Sequence, residues 1–161
     1  MKRVYIETSI PSFYYEVREA PDMIARRDWT RQWWDQQRRH YECVTSMAVV
    51  EELGRGVYHG KADAQKMIAT IPVLPLVDSI PEAAQAYISR KVMPRGIAGD
   101  AFHLAFASFY HCDFLLTWNC TNLANANKYE HIRRVNGLMG LFNPVLTTPI
   151  ALMKWVREYD V

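Results

Sequence analysis

The chain has 161 residues, half of them apolar and 22 % charged, with a net charge of +2. That length buries one sizeable core, no apolar run reaches the length of a membrane span, and so small a charge does not by itself point to nucleic acid. Cys43, Cys112 and Cys120 lack metal-ligand spacing and read as reduced thiols of a cytoplasmic protein.

The opening segment MKRVYIETS is expected to run directly into a strand rather than to form a leader. Residues 3–7 make that strand, with Val4, Tyr5 and Ile6 as its core and Glu7 at its end. Thr8 and Ser9 follow, and either can cap a helix opened by Pro11. An acid and two hydroxyls at the end of a buried strand are unusual. Glu7 reads either as a functional acid or as a solvated carboxylate beside a cap. Residues 22–40 form a long helical pattern carrying Arg26, Arg27, Arg31, Arg38 and Arg39 with Trp29, Trp33 and Trp34 among them. Such a helix can contact a phosphate backbone or a partner protein. The favoured reading is simpler: the indoles pack inward and the guanidinium groups form a solvated face.

A second strand is expected at residues 41–45, and Ser46 then caps a helix through 58. Val49, Glu52, Leu53 and Gly56 share one face of it, so Glu52 points with the apolar residues. Glu51 falls on the other side, spaced for a surface pair with Arg55. Residues 61–71 form another helix. Residues 72–77 form a third strand, and Pro75 argues for an edge or an irregular position. Pro81 starts a helix to 92, and Pro94, Arg95 and Gly96 form a loop.

The helix after that loop opens on Asp100, with Gly99 freeing the backbone just before it and the helix dipole favouring the carboxylate. Ala101, Leu104, Ala105, Ser108 and Cys112 give a small-residue face that can lie close on a sheet. Residues 113–117 are a buried strand that stops at Trp118 and Asn119. A polar helix at 123–134 and a short strand at 145–147 follow. Pro149 then opens a last helix carrying Leu152, Trp155 and Val156. Helices alternate with short strands over residues 1–161. The expected fold is therefore a single α/β domain: a three-layer sandwich whose central, mainly parallel sheet has four to five strands flanked by helices.

In a parallel sheet, Glu7, Glu52, Asp100 and Asn119 converge at the carboxyl edge, where ligands of open α/β sheets bind. Three carboxylates brought together repel unless a cation neutralises them, and oxygen ligands suit Mg²⁺ or Mn²⁺. Such an ion can activate a water and stabilise charge on a phosphodiester. Glu7, Glu52 and Asp100 are the candidate metal ligands, and with Asn119 they are the candidate catalytic residues. Thr8, Ser9 and Thr117 are the candidate substrate-binding hydroxyls. Asp113 starts its strand at the far edge and reads as a turn or cap residue. His103, one helical turn past Asp100, either touches a substrate phosphate or, the favoured reading, is structural. Asn119, Asn122, Asn125 and Asn127 with Lys128 are either RNA contacts or caps and surface. No base stands near Ser9 or Thr8 for a serine hydrolase, and no Gly-rich phosphate loop follows a strand.

The pieces YIETS, SMAVVEELGRG, GDAFHLAFA and DFLLTWNCTNLAN, in that order, resemble the successive motifs of the PIN-domain family, whose VapC-type toxins are well-known small members. The resemblance covers nearly the whole chain. It implies a parallel sheet between helices and Mg²⁺- or Mn²⁺-dependent cleavage of RNA by an endoribonuclease. Glu7, Glu52 and Asp100 would be the metal-binding acids. A toxin of a toxin–antitoxin pair would have RNA as substrate, an antitoxin protein as partner and a second copy as dimer mate. Two positions depart from the family's pattern. Glu7 stands where Asp is usual, and Asn119 stands where an acid is usual. Three charges rather than four favour one ion over two. The alternative expectation is a PIN-like module, weak or inactive in catalysis, that binds RNA or a protein.

Overall fold

The computed structural model describes residues 1–95 and 98–154. Gly96 of the predicted loop and Trp155 and Val156 of the predicted last helix lie outside the described residues. The five strands are β1 (Arg3–Ile6), β2 (Glu42–Ser46), β3 (Val73–Leu74), β4 (Phe114–Leu116) and β5 (Val145–Thr147). They form one sheet in the order β3-β2-β1-β4-β5, and every neighbouring pair is parallel. The helices are α1 (Ser9–Tyr14), α2 (Pro21–Gln36), α3 (Met47–Gly54), α4 (Lys61–Ile68), α5 (Ser79–Ser89), α6 (Ala98–Phe109), α7 (Tyr129–Met139) and α8 (Pro149–Leu152). This is the expected α/β sandwich.

The strand order agrees with the burial and composition of the strands. Val4, Tyr5 and Ile6 have no exposed surface, so β1 must have neighbours on both sides and cover on both faces. The two-residue β3 lies between Pro72 and Pro75, which cannot donate to a ladder, and it sits at the edge. The chain builds outward from β1 to β2 and β3. It then returns to the other side of β1 for β4 and β5. That reversal between β1 and β4 is a topological switch point, where the loops at the strand ends diverge and leave a crevice. Since all strands run the same way, Glu7, Ser46 and Thr117 come to the same edge. Asp113 is at the opposite edge, where its Oδ2 accepts the Arg3 N–H at 2.8 Å.

The helices differ from the sequence pattern mainly at their ends. The pattern at 22–40 breaks after Gln36, and Arg38–His40 form a separate 3-10 turn. Trp33 and Trp34 pack inward, with Trp33 stacked on Tyr41 and the Arg38 guanidinium 4.6 Å from the Trp34 ring centre. Trp29 is half-buried, Arg31, Arg38 and Arg39 are exposed, and Arg26 and Arg27 are half-buried, so the indoles pack inward more completely than the guanidinium groups face solvent. Helix α3 stops at Gly54, well short of 58, and Arg55 is extended, so Glu51 and Arg55 lack the helical geometry to pair. Gly99 lies inside α6, not before it. The expected helix at 123–134 is a 3-10 turn, Ala126–Lys128, followed by α7. Among the described residues no helix is long and apolar enough to cross a membrane.

Candidate metal centre

Glu7 follows β1 directly and is buried. Its Oε2 accepts the Ser9 N–H at 2.9 Å, the Ser9 hydroxyl, and the Thr117 hydroxyl at 2.9 Å. Three donors on one oxygen fix the plane of the carboxylate. The hydroxyls owe their position to parallel pairing: Ile6 is level with Leu116, so the residues after both strands meet.

Glu52 reaches the same place from α3. It is half-buried while its neighbour Glu51 is exposed, as the helical spacing predicts. Its Oε1 lies 2.8 Å from His103 Nε2. Burial raises the Glu52 carboxyl, but the hydrogen bond and charge of His103 outweigh that and hold it below its ordinary value. His103 comes from α6 and is fully buried. Burial disfavours charge on its ring, yet Glu52, with Glu7 and Asp100 nearby, leaves it above its ordinary value. Its Nδ1 is 2.8 Å from the Tyr5 hydroxyl, itself 2.6 Å from the Ser46 hydroxyl. Burial pushes the Tyr5 phenol well up, so this link is a neutral O–H.

One ligand atom each from Glu7, Glu52 and His103 lie within 4.8 Å of one another. Asp100 stands outside that group but beside it. It occupies the first turn of α6, is buried, and lines with Glu52 one cleft of about 580 Å³. Asp100 Oδ2 accepts from the side-chain amides of Asn119 at 3.1 Å and Asn122 at 2.9 Å. The Asn119 N–H in turn donates to Thr117 Oγ1, which ties the Asp100 side of the site to the Glu7 side.

The three acids share one arrangement. Glu7 Oε2, Glu52 Oε1 and Asp100 Oδ2 are held by protein donors. Glu7 Oε1, Glu52 Oε2 and Asp100 Oδ1 make no hydrogen bond among the described residues. Carboxylates oriented through one oxygen and open at the other suit a hard divalent cation. No ion pair with Arg or Lys neutralises any of the three among the described residues. Thr8 Oγ1 adds a further oxygen. It is near enough to Glu52 to help lower its carboxyl, yet it is buried without a hydrogen bond of good geometry.

Several residues take parts the sequence did not indicate. Thr117 is fully buried behind Glu7, so it holds the acid and is shut off from substrate. Ser9 also spends its hydroxyl proton on Glu7, while its oxygen accepts the Trp118 N–H at 2.8 Å. Asn119 turns its carbonyl oxygen to the N–H groups of Thr121 and Asn122, at 3.2 and 2.9 Å, and gives only its amide to Asp100. It positions an acid in place of supplying a ligand oxygen. Asn122 does the same from three residues on; that spacing from Asn119 was its only signal. His103 is sealed from any substrate phosphate. The Arg26 guanidinium lies 5.5 Å from the Trp118 ring centre and 5.6 Å from that of Phe13. Arg55 lines the cleft with Glu52 and Asp100.

No protein-family model matches the chain, and no curated protein matches it.

Proposed function

We propose that the chain is a metal-dependent endoribonuclease with a PIN-like fold, as the toxins of toxin–antitoxin pairs are. One observation carries this reading. Three acids from β1, α3 and α6 gather at the switch point of a parallel sheet, each pinned through one oxygen and open at the other. Glu7, Glu52 and Asp100 would hold one Mg²⁺ or Mn²⁺. The bound ion would neutralise the acids and offset the charge that develops on a phosphodiester under attack by water. The protein's own residues supply preorganisation. Ser9 and Thr117 fix Glu7, and Asn119 and Asn122 fix Asp100, so little reorientation is left for the reaction itself. Arg55 in the cleft and Arg26 over Trp118 offer cations for the RNA backbone.

A second reading draws on Asn119, where a fourth acid is missing. The same fold would then bind RNA or a protein without cutting. Incubation of mixed RNA with Mg²⁺ or Mn²⁺ and wild-type, Glu52→Gln or Asp100→Asn protein separates the two. Cleavage lost in both variants supports the nuclease. RNA retained uncut by all three proteins supports the binding module.

A further inference from the structure

We propose that His103 is a positioning residue, which holds Glu52 for the divalent ion and is not itself a ligand; the inference rests on the metal-centre reading above. The rival arrangement is a direct bond from His103 to the ion, since one of its ring nitrogens lies within 4.8 Å of ligand oxygens of Glu7 and Glu52. Three observations decide between them.

The first is what Nε2 faces. It stands 2.8 Å from Glu52 Oε1, and an ionised carboxylate oxygen only accepts. The proton of that bond therefore belongs to Nε2. A ligating nitrogen would have to give it up, and Glu52 would lose its donor.

The second is the direction of the chain behind the ring. Ser46 is fully buried, and Tyr5 Oη is the partner of its hydroxyl among the described residues. If Nδ1 carried a proton and donated it to Tyr5, Tyr5 would donate to Ser46. The buried Ser46 proton would then face no acceptor, at a desolvation cost. The opposite direction satisfies each donor: Ser46 to Tyr5, Tyr5 to Nδ1, and Nε2 to Glu52. The imidazole tautomer follows from this count.

The third is the parallel with the other two acids. Glu7 is held by Ser9 and Thr117, and Asp100 by Asn119 and Asn122, in each case at one oxygen. His103 does the same for Glu52. Gly99 completes the fit, because a Cβ there would overlap Glu52 Oε1 in its present place. The acid is thus held by a ring on one side and admitted by a missing methyl on the other.

Mn²⁺ is the probe. Its binding is followed by electron paramagnetic resonance on wild type, His103→Leu and His103→Gln, with circular dichroism and thermal melts as controls. Pulsed spectra of wild type with and without ¹⁵N-histidine report any nitrogen bonded to the ion. The expected results are a saturable wild-type site with no directly bonded histidine nitrogen. His103→Leu should weaken Mn²⁺ binding roughly 10–100-fold. His103→Gln, whose side-chain N–H can still donate to Glu52, should recover most of that loss. A directly bonded histidine nitrogen overturns the inference, as does a folded His103→Leu protein that binds Mn²⁺ like wild type. Should His103→Leu fail to fold, the wild-type nitrogen spectrum still distinguishes a positioning ring from a ligand. A wild type that binds no Mn²⁺ overturns the metal-centre reading and this inference with it. Mn²⁺ binding without RNA cleavage removes only the nuclease.

Discussion

Replacing Gly99 with alanine tests how tightly the site is built. A Cβ on Gly99 would stand inside the 3.0 Å approach that real Cβ atoms keep from Glu52 Oε1, and 3.2 Å from its Cδ. Relief requires Oε1 to move by about 1 Å. The obstacle is the end of a flexible side chain, so the backbone of α6 need not shift. Gly99 is the second residue of α6, so alanine gains there less than the helix-interior preference of about 1 kcal/mol over glycine. Against that, Glu52 gives up its hydrogen bond to His103, a charged-group bond worth about 1.5–3 kcal/mol. The gain offsets only part of the loss, leaving a net loss of about 0.5–3 kcal/mol. Metal affinity has no such compensation and should fall roughly tenfold or more, as for other lost supports of a ligand. Urea denaturation and Mn²⁺ titration on one preparation read both quantities. A Gly99→Ala protein that binds Mn²⁺ as tightly as wild type would refute the reasoning, because Glu52 would then be free to serve from elsewhere.

Further expectations concern the rest of the fold. Asn136 is fully buried, accepts the Tyr87 hydroxyl, and donates to Ser108 Oγ at 3.1 Å and to the Phe142 carbonyl at 3.3 Å. Asn136→Ala strands these partners and should cost about 2–4 kcal/mol in denaturant unfolding; a loss under about 1 kcal/mol would contradict the network's role. Burial pushes the Cys43 thiol up to about 11 and that of Cys112 to about 12, whereas Cys120 is exposed. A chromogenic disulfide reagent at pH 8 should therefore find one fast thiol, with the other two reacting only on unfolding. The Arg18 guanidinium holds the Glu16 carboxyl down at about 2, below its ordinary 4.5. A depressed carboxyl stabilises the fold above its unfolded value and stops doing so as pH falls through its folded one. Glu16→Gln should thus flatten the loss of stability between pH 4.5 and about 2, as read by urea midpoints across that range.

The sheet was legible because its strands are short apolar runs bounded by acids, hydroxyls and prolines. The stretch Val4–Tyr5–Ile6 was legible as the core of a strand, and Pro75 argued for an edge or an irregular position; that β1 is central was seen only in the sheet order. Helix ends were less legible. Gly54 and the extended Arg55 end α3 early, and the run of polar residues after Asn119 builds turns because its side chains bond their own backbone. In the site, Glu7 was marked by its place after a strand and Glu52 by its helical face. Asp100 was marked by its place at a helix start. The supports were harder to see. Thr117 and Asn119 lay in a recognisable stretch, but which oxygen faced which partner depends on rotamers that spacing does not encode. The chain from Ser46 through Tyr5 to His103 joins residues 41 and 98 positions apart in sequence, and only strand pairing brings them together.

Equilibrium Mn²⁺ titration of wild type beside Glu7→Gln, Glu52→Gln and Asp100→Asn bears most directly on the three-acid site. One ion per chain is the result expected for wild type, with affinity weakened at least roughly tenfold by each amide variant while the fold persists. No saturable binding in wild type, or three variants indistinguishable from it, would contradict the claim that these acids share a cation.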